Sequence, residues 1–144
     1  MLKLSLVLLL LLGVSSFGIG VHYYTSVEFM TYHSGAVQTS WSDLDGNFQG
    51  LFLGMLKAMG AGSITTGLAI IYMASKGLRG NISPYIVLLP FTAILYFVLS
   101  IYASYTVQMN TVGEPPLLAA LATGVMALFA CTLLVIGYRR QAKH

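Results

Sequence analysis

Lys57 is the only charge well inside an apolar segment of this chain, and any chemistry the sequence offers begins there. A central charge costs roughly 2.5–3.5 kcal/mol on membrane-insertion scales. Two readings account for it. The stem can lie along its helix while the ammonium reaches the headgroups, or the ammonium can be buried against an acid at a ligand or ion site. The acids are Glu28, Asp43, Asp45 and Glu114. Asp43, Asp45 and Glu114 precede helix starts, where negative charge is favourable. Glu28 has no such role and is the expected partner. Lys57, Glu28, His33, Tyr96 and Asp43 therefore form the candidate ligand-binding set. They imply a polar cavity opening outward between the second and third apolar spans.

Other chemistries have less support. His22 and His33 are eleven residues apart, roughly 16 Å along a helix, too far to share one metal. Glu28 and His33 could converge with Asp43 or Asp45 as a mixed nitrogen and oxygen site. No dense ligand spacing supports this, so neither a metal nor a cofactor is expected. Asp43 to Asn47 lacks the later glutamate of a calcium loop. No Ser–His–Asp grouping or phosphate-cradling glycine loop is present, which favours a non-enzymatic protein. Cys131 is the single cysteine and reads as a small packed residue, as the scattered methionines read as filler.

The elements that must position these residues are set by composition. The chain has 144 residues, 57% hydrophobic and 8% charged, against about 25% charged in soluble domains. The expected class is all-α: a single integral-membrane domain over 1–144, a four-helix transmembrane bundle. Its spans are about 4–21, 50–73, 85–107 and 117–138. Each is long enough for a hydrocarbon core about 30 Å thick, and backbone groups in lipid must be satisfied within helices. The first segment also resembles a signal peptide with a small-residue site after Ser16. Its apolar pattern runs on to Val21, which favours a retained helix. Residues 22–47 read as a short, outward-facing helical cap. The first helix could continue into it as far as His33 and end at Ser34-Gly35. Ser83-Pro84 reads as a helix start.

The second span carries Gly46, Gly50, Gly54, Ala58, Gly62 and Thr66 at four-residue intervals. Small residues let helices approach closely in lipid, so Gly50, Gly54, Ala58 and Gly62 are the expected packing seam and the second span the expected hub. Thr92, Tyr96, Ser100 and Ser104 make a polar stripe on the third span, which could hydrogen-bond a neighbour or line a crevice toward Lys57. Ala119, Thr123, Ala127 and Cys131 make a small stripe on the fourth.

Net charge is +3, and its distribution decides orientation. Lys3, Lys76, Arg79, Arg139, Arg140 and Lys143 fall on one side of a four-span layout, and the four acids on the other. The basic side faces the cytoplasm, so both termini are expected there, in a bacterial inner membrane. No basic run interleaved with aromatics suggests nucleic-acid binding.

Glu28-Phe29-Met30-Thr31-Tyr32-His33, Trp41-Ser42-Asp43-Leu44 and Lys57-Ala58-Met59-Gly60 resemble a group of small bacterial four-span inner-membrane proteins of uncharacterised activity. The layout with an outer cap is also similar in architecture to DoxX-like and sterol-isomerase-like bundles. Likeness of fold does not transfer function. The expected function is an accessory subunit or binding module in the lipid bilayer, contacting a membrane-protein partner, a second copy or lipid. The alternative is a small-molecule or ion site, enzymatic or transporting, around Lys57, Glu28 and His33.

Overall fold

The structure is a computed structural model that describes residues 1–81 and 88–141, the last of these by its backbone alone. Its elements are α1 (Leu2–Thr25), α2 (Thr31–Val37), a 3-10 turn (Trp41–Asp43), α3 (Gly46–Leu78), α4 (Leu88–Asn110) and α5 (Leu117–Gln141). The four long helices are each long and apolar enough to cross a membrane, which makes this a multi-pass membrane protein with an all-helical bundle. The expected start at Ser83-Pro84 and the first residues of the third span lie outside the described residues, as do residues 142–144.

Element boundaries follow local chemistry. α1 stops at Thr25 and does not run on to His33. Thr25 Oγ1 and Ser26 Oγ donate back to the carbonyls of Val21 and His22 at 2.8 and 2.6 Å, and Ser26 turns extended. Hydroxyls that satisfy the last carbonyls compete with further helix. α2 passes through Gly35 and ends instead at Gln38, which takes the left-handed conformation at φ 56°. α3 is capped by Asp45, whose side chain accepts from the Asn47 N–H at 2.8 Å. Its 33 residues extend about 50 Å, well beyond a hydrocarbon core of about 30 Å.

The hub is α1, not the second span as the small-residue pattern suggests. α1 packs on both α3 and α5, α5 packs on α4, and α3 and α4 touch only lightly. The buried face of α1 is Leu2, Ser5, Leu6, Leu9, Leu12, Gly13, Ser16 and Gly20. It meets Ile70 and Ala74 of α3, and Ala127, Ala130, Cys131 and Leu134 of α5, in one core with Leu89, Ala93 and Phe97 of α4. On α5 the expected stripe is buried only in part. The inner face is Gly124, Ala127, Cys131, Leu134 and Gly137, while Ala119 is exposed.

The tightest seam joins α1 to α3, and different glycines make it. A Cβ added at Gly60 would stand 2.6 Å from the Tyr24 nitrogen and 2.7 Å from the Gly20 oxygen. One at Gly20 would stand 2.8 Å from the Gly60 oxygen, and one at Gly67 2.8 Å from the Gly13 oxygen. The obstacles are backbone atoms, which cannot swing aside as a side chain can. Each glycine therefore presents a Cα hydrogen to a carbonyl across the seam, a weak bond recurrent where helices touch. Gly50, Gly54 and Gly62, in contrast, have nothing within 4 Å of an added Cβ, and Ala58 is exposed. The expected seam through Gly50, Gly54, Ala58 and Gly62 is thus corrected within this chain. Residues four apart drift about 40° around a helix per step, whereas a seven-residue spacing drifts only about 20°. Gly13 and Gly20, and Gly60 and Gly67, are each seven apart and stay on one line.

The helices run so that charge separates by end. Gly137 of α5 abuts Leu2, and Arg140 Nη1 lies 3.5 Å from Met1 Sδ. Lys3, Lys76, Arg79, Arg139 and Arg140 thus belong to one end, the basic end. The cap and all four acids belong to the other.

Gly60→Ala and Gly67→Ala should each lower stability by about 1–3 kcal/mol, as overpacking a fixed contact does. Gly50→Ala and Gly54→Ala should leave it unchanged or raise it by up to about 1 kcal/mol through helix propensity. Denaturation followed by circular dichroism in detergent measures both, and equal losses at all four positions would refute the seam.

Candidate functional site

At the acidic end the chain between α1 and α3 folds into a cap, and Phe29 fixes it. Its side chain is 7% exposed, with ring centroids 5.1 Å from Trp41, 5.7 Å from Phe52 and 6.2 Å from His33, all edge-on. Such pairs add about 0.5–1.5 kcal/mol each beyond burial. Two polar ties complete the attachment. Tyr23 and Tyr32 share a hydroxyl hydrogen bond of 2.8 Å between α1 and α2. Gln49 Nε2 donates to the Trp41 and Leu44 carbonyls at 2.8 and 3.2 Å, binding the 3-10 turn to α3. The connection from α4 to α5 closes over α2 at Gly113, where an added Cβ would meet Ala36 Cβ at 2.7 Å.

Between these parts lies an open cleft of about 940 Å³. Its walls are the end of α1 (His22, Thr25, Ser26), the 27–30 segment with Glu28 and Phe29, α2 with Tyr32, and the α4–α5 connection with Glu114. It is not the expected cavity between the second and third spans. There, Tyr96 bridges α4 to α3 by donating its hydroxyl proton to Ser63 Oγ at 2.9 Å. Ser63 also accepts, through its carbonyl, from the buried Ser16 hydroxyl at 3.1 Å. Three spanning helices are thus joined at one serine. The rest of the α4 polar stripe stays local: Thr92 and Ser100 donate to carbonyls four residues back.

The five expected ligand-binding residues do not converge. Lys57 Nζ donates to the Tyr24 carbonyl at 3.1 Å and lies 5.6 Å from the centroid of the Tyr24 ring. That carbonyl belongs to the last turn of α1, whose oxygens lack partners within the helix and form its negative pole. Lys57 is therefore a cation set against the end of a neighbouring helix. Because α3 begins at Gly46, Lys57 lies about three turns inside it, beyond reach of the unfavourable N-terminal pole. Glu28 is in the cleft wall. Asp43 accepts from Ser40 Oγ at 2.6 Å within its own turn. His33 Nδ1 accepts from the Met30 N–H at 3.0 Å, closing the start of α2. Of this set only Glu28 lines the cleft, and sequence reasoning did not place Glu114 beside it. Phe29, the one phenylalanine between α1 and Phe48, was the available signal for the cap's anchor.

Burial lowers the His33 pKa below its ordinary 6.5 and raises that of Tyr32, whose hydrogen bond to Tyr23 adds to the rise. Comparisons with protein-family models, curated proteins and solved structures give no match to this chain.

The His33 shift has a definite sign. The folded cap favours neutral imidazole, since a protonated Nδ1 would face the Met30 N–H donor to donor. Its contribution is complete above pH 6.5 and is lost as pH falls through the lowered folded-state value. Trp41 is the only tryptophan and rests on Phe29, so its emission should shift red as the cap loosens in that acidic window. His33→Gln should flatten the transition, and an unchanged acid transition in that variant would refute the assignment.

Proposed function

We propose that this protein is a non-enzymatic accessory subunit or binding module of a bacterial inner membrane, with both termini cytoplasmic and the cap facing outward. The orientation rests on the basic end, which the positive-inside tendency directs to the cytoplasm. The resemblance of residues 28–33, 41–44 and 57–60 to small four-span inner-membrane proteins points the same way. One observation carries the functional reading. The side chains best suited to chemistry are engaged in holding the bundle and cap together, while the Gly50, Gly54, Ala58 and Gly62 row of α3 has no helix against it.

A reactive lysine must present its amine to a substrate. The Lys57 amine instead faces a backbone carbonyl and a tyrosine ring, which counts against the catalytic or transporting alternative. A small-residue row open to the bilayer favours close contact with another helix or with lipid. The partner on this reading is a membrane protein, a second copy or a lipid held at α3.

Native mass spectrometry of the full chain from mild detergent should show a defined protein or lipid adduct. Gly54→Leu should abolish it and Lys57→Met should retain it, though with a lower melting temperature. A bare monomer, or an adduct that depends on Lys57 and not on Gly54, would contradict the proposal.

A further inference from the structure

We propose that the cleft at the acidic end binds an ammonium group carried on a small apolar body, supplied either by a lipid headgroup or by a free alkylammonium. This goes beyond the docking role of α3 and does not depend on it.

Shape comes first. A volume of about 940 Å³ falls within the roughly 300–1,000 Å³ of small-ligand sites. It is formed by segments far apart in sequence, the end of α1 and the 27–30 stretch on one side and the 112–116 connection on the other. Those segments are held in place by the Phe29 anchor and by the close fit of Gly113 on α2.

Charge sets the sign of the ligand. Glu28 and Glu114 both line the cleft, and no lysine or arginine is among the lining residues. The cleft also takes in the end of α1 at His22, Thr25 and Ser26. Lys57 is turned to Tyr24 and does not line the cleft. The other two acids are held by neighbours, Asp43 by Ser40 and Asp45 by the Asn47 N–H. Among the described residues no such local donor holds Glu28 or Glu114, and both are exposed.

The kind of cation follows from what else is present. A metal ion needs several ligands converging on one point, and among the described residues no three His, Cys, Asp or Glu gather so. Phe29, Tyr32, Val27 and Val112 give the cleft an apolar lining beside its carboxylates. An ammonium with carbon substituents suits both: its diffuse charge needs no fixed coordination geometry, and its apolar body is covered by the apolar lining. The cleft also lies where α1 ends and just before α5 begins.

The test is equilibrium binding of radiolabelled butyltrimethylammonium to the full chain in phosphatidylglycerol nanodiscs, with empty nanodiscs subtracted. Binding should saturate and should not be displaced by butyrate. Glu28→Gln and Glu114→Gln should each weaken it roughly fivefold, as partly exposed ion contacts do, and the double variant should lose the saturable component. Both substitutions are at exposed positions, and circular dichroism verifies that the bundle persists. Including phosphatidylethanolamine separates the sources: a right-shifted isotherm assigns the cleft to a headgroup amine, and an unshifted one to a free amine. No saturable binding, displacement by butyrate, or binding unchanged in the double variant would overturn the proposal.

Discussion

Lipid gives apolar helices little reason to prefer one another to acyl chains, so a membrane bundle needs contacts that lipid cannot imitate. Here the strongest such contact is between two backbones. Gly13 and Gly20 of α1 face Gly67 and Gly60 of α3, close enough that an added methyl at Gly20, Gly60 or Gly67 would collide with main-chain atoms. Once that seam is closed, α1 is fixed in the middle of the molecule and offers its remaining apolar face to α5. The same seam brings Lys57 to the end of α1 and Ser63 to Ser16. It also places the start of α3 where Phe52 can receive Phe29 and Gln49 can hold the 3-10 turn.

Among the described residues the buried polar side chains follow one rule: each has a backbone or hydroxyl partner. Among the described residues no buried side-chain nitrogen or oxygen lacks one. Interhelical hydrogen bonds in membranes contribute only about 0.6–2 kcal/mol each, so the Ser16–Ser63–Tyr96 chain serves registration more than strength. Lys57 belongs to the same economy. An ammonium that looked like a reagent in the sequence completes the unsatisfied end of a neighbouring helix. Among the places the packing leaves open are the glycine row of α3 and the acidic cleft.

The class of the protein was legible in its composition, because so little charge over four apolar stretches permits only helices in a membrane. Which helix occupies the centre was not. The four-residue row at Gly46–Gly62 is the more conspicuous pattern, but it winds around α3. The working pairs, Gly13 with Gly20 and Gly60 with Gly67, are sparse and divided between two helices. A pairing between helices is invisible to the periodicity of either one. The same limit hid the cleft: Glu28 and Glu114 are far apart in the chain and line one cleft because the α4–α5 connection packs over α2 at Gly113. Lys57 was recognisable as a charge in need of a partner. The partner was a carbonyl, which every residue carries and no sequence pattern marks.

The account rests on the α1–α3 seam, and solid-state NMR of glycine-labelled protein in bilayers examines it directly. Backbone correlations should connect Gly20 with Gly60 and Gly13 with Gly67, while Gly50 and Gly54 show transfer from lipid acyl protons or a bound partner and none from α1. If Gly60 and Gly67 instead contact acyl chains and the Gly50–Gly54 edge correlates with α1, then the hub, the Lys57 contact and the placement of the cap are all wrong.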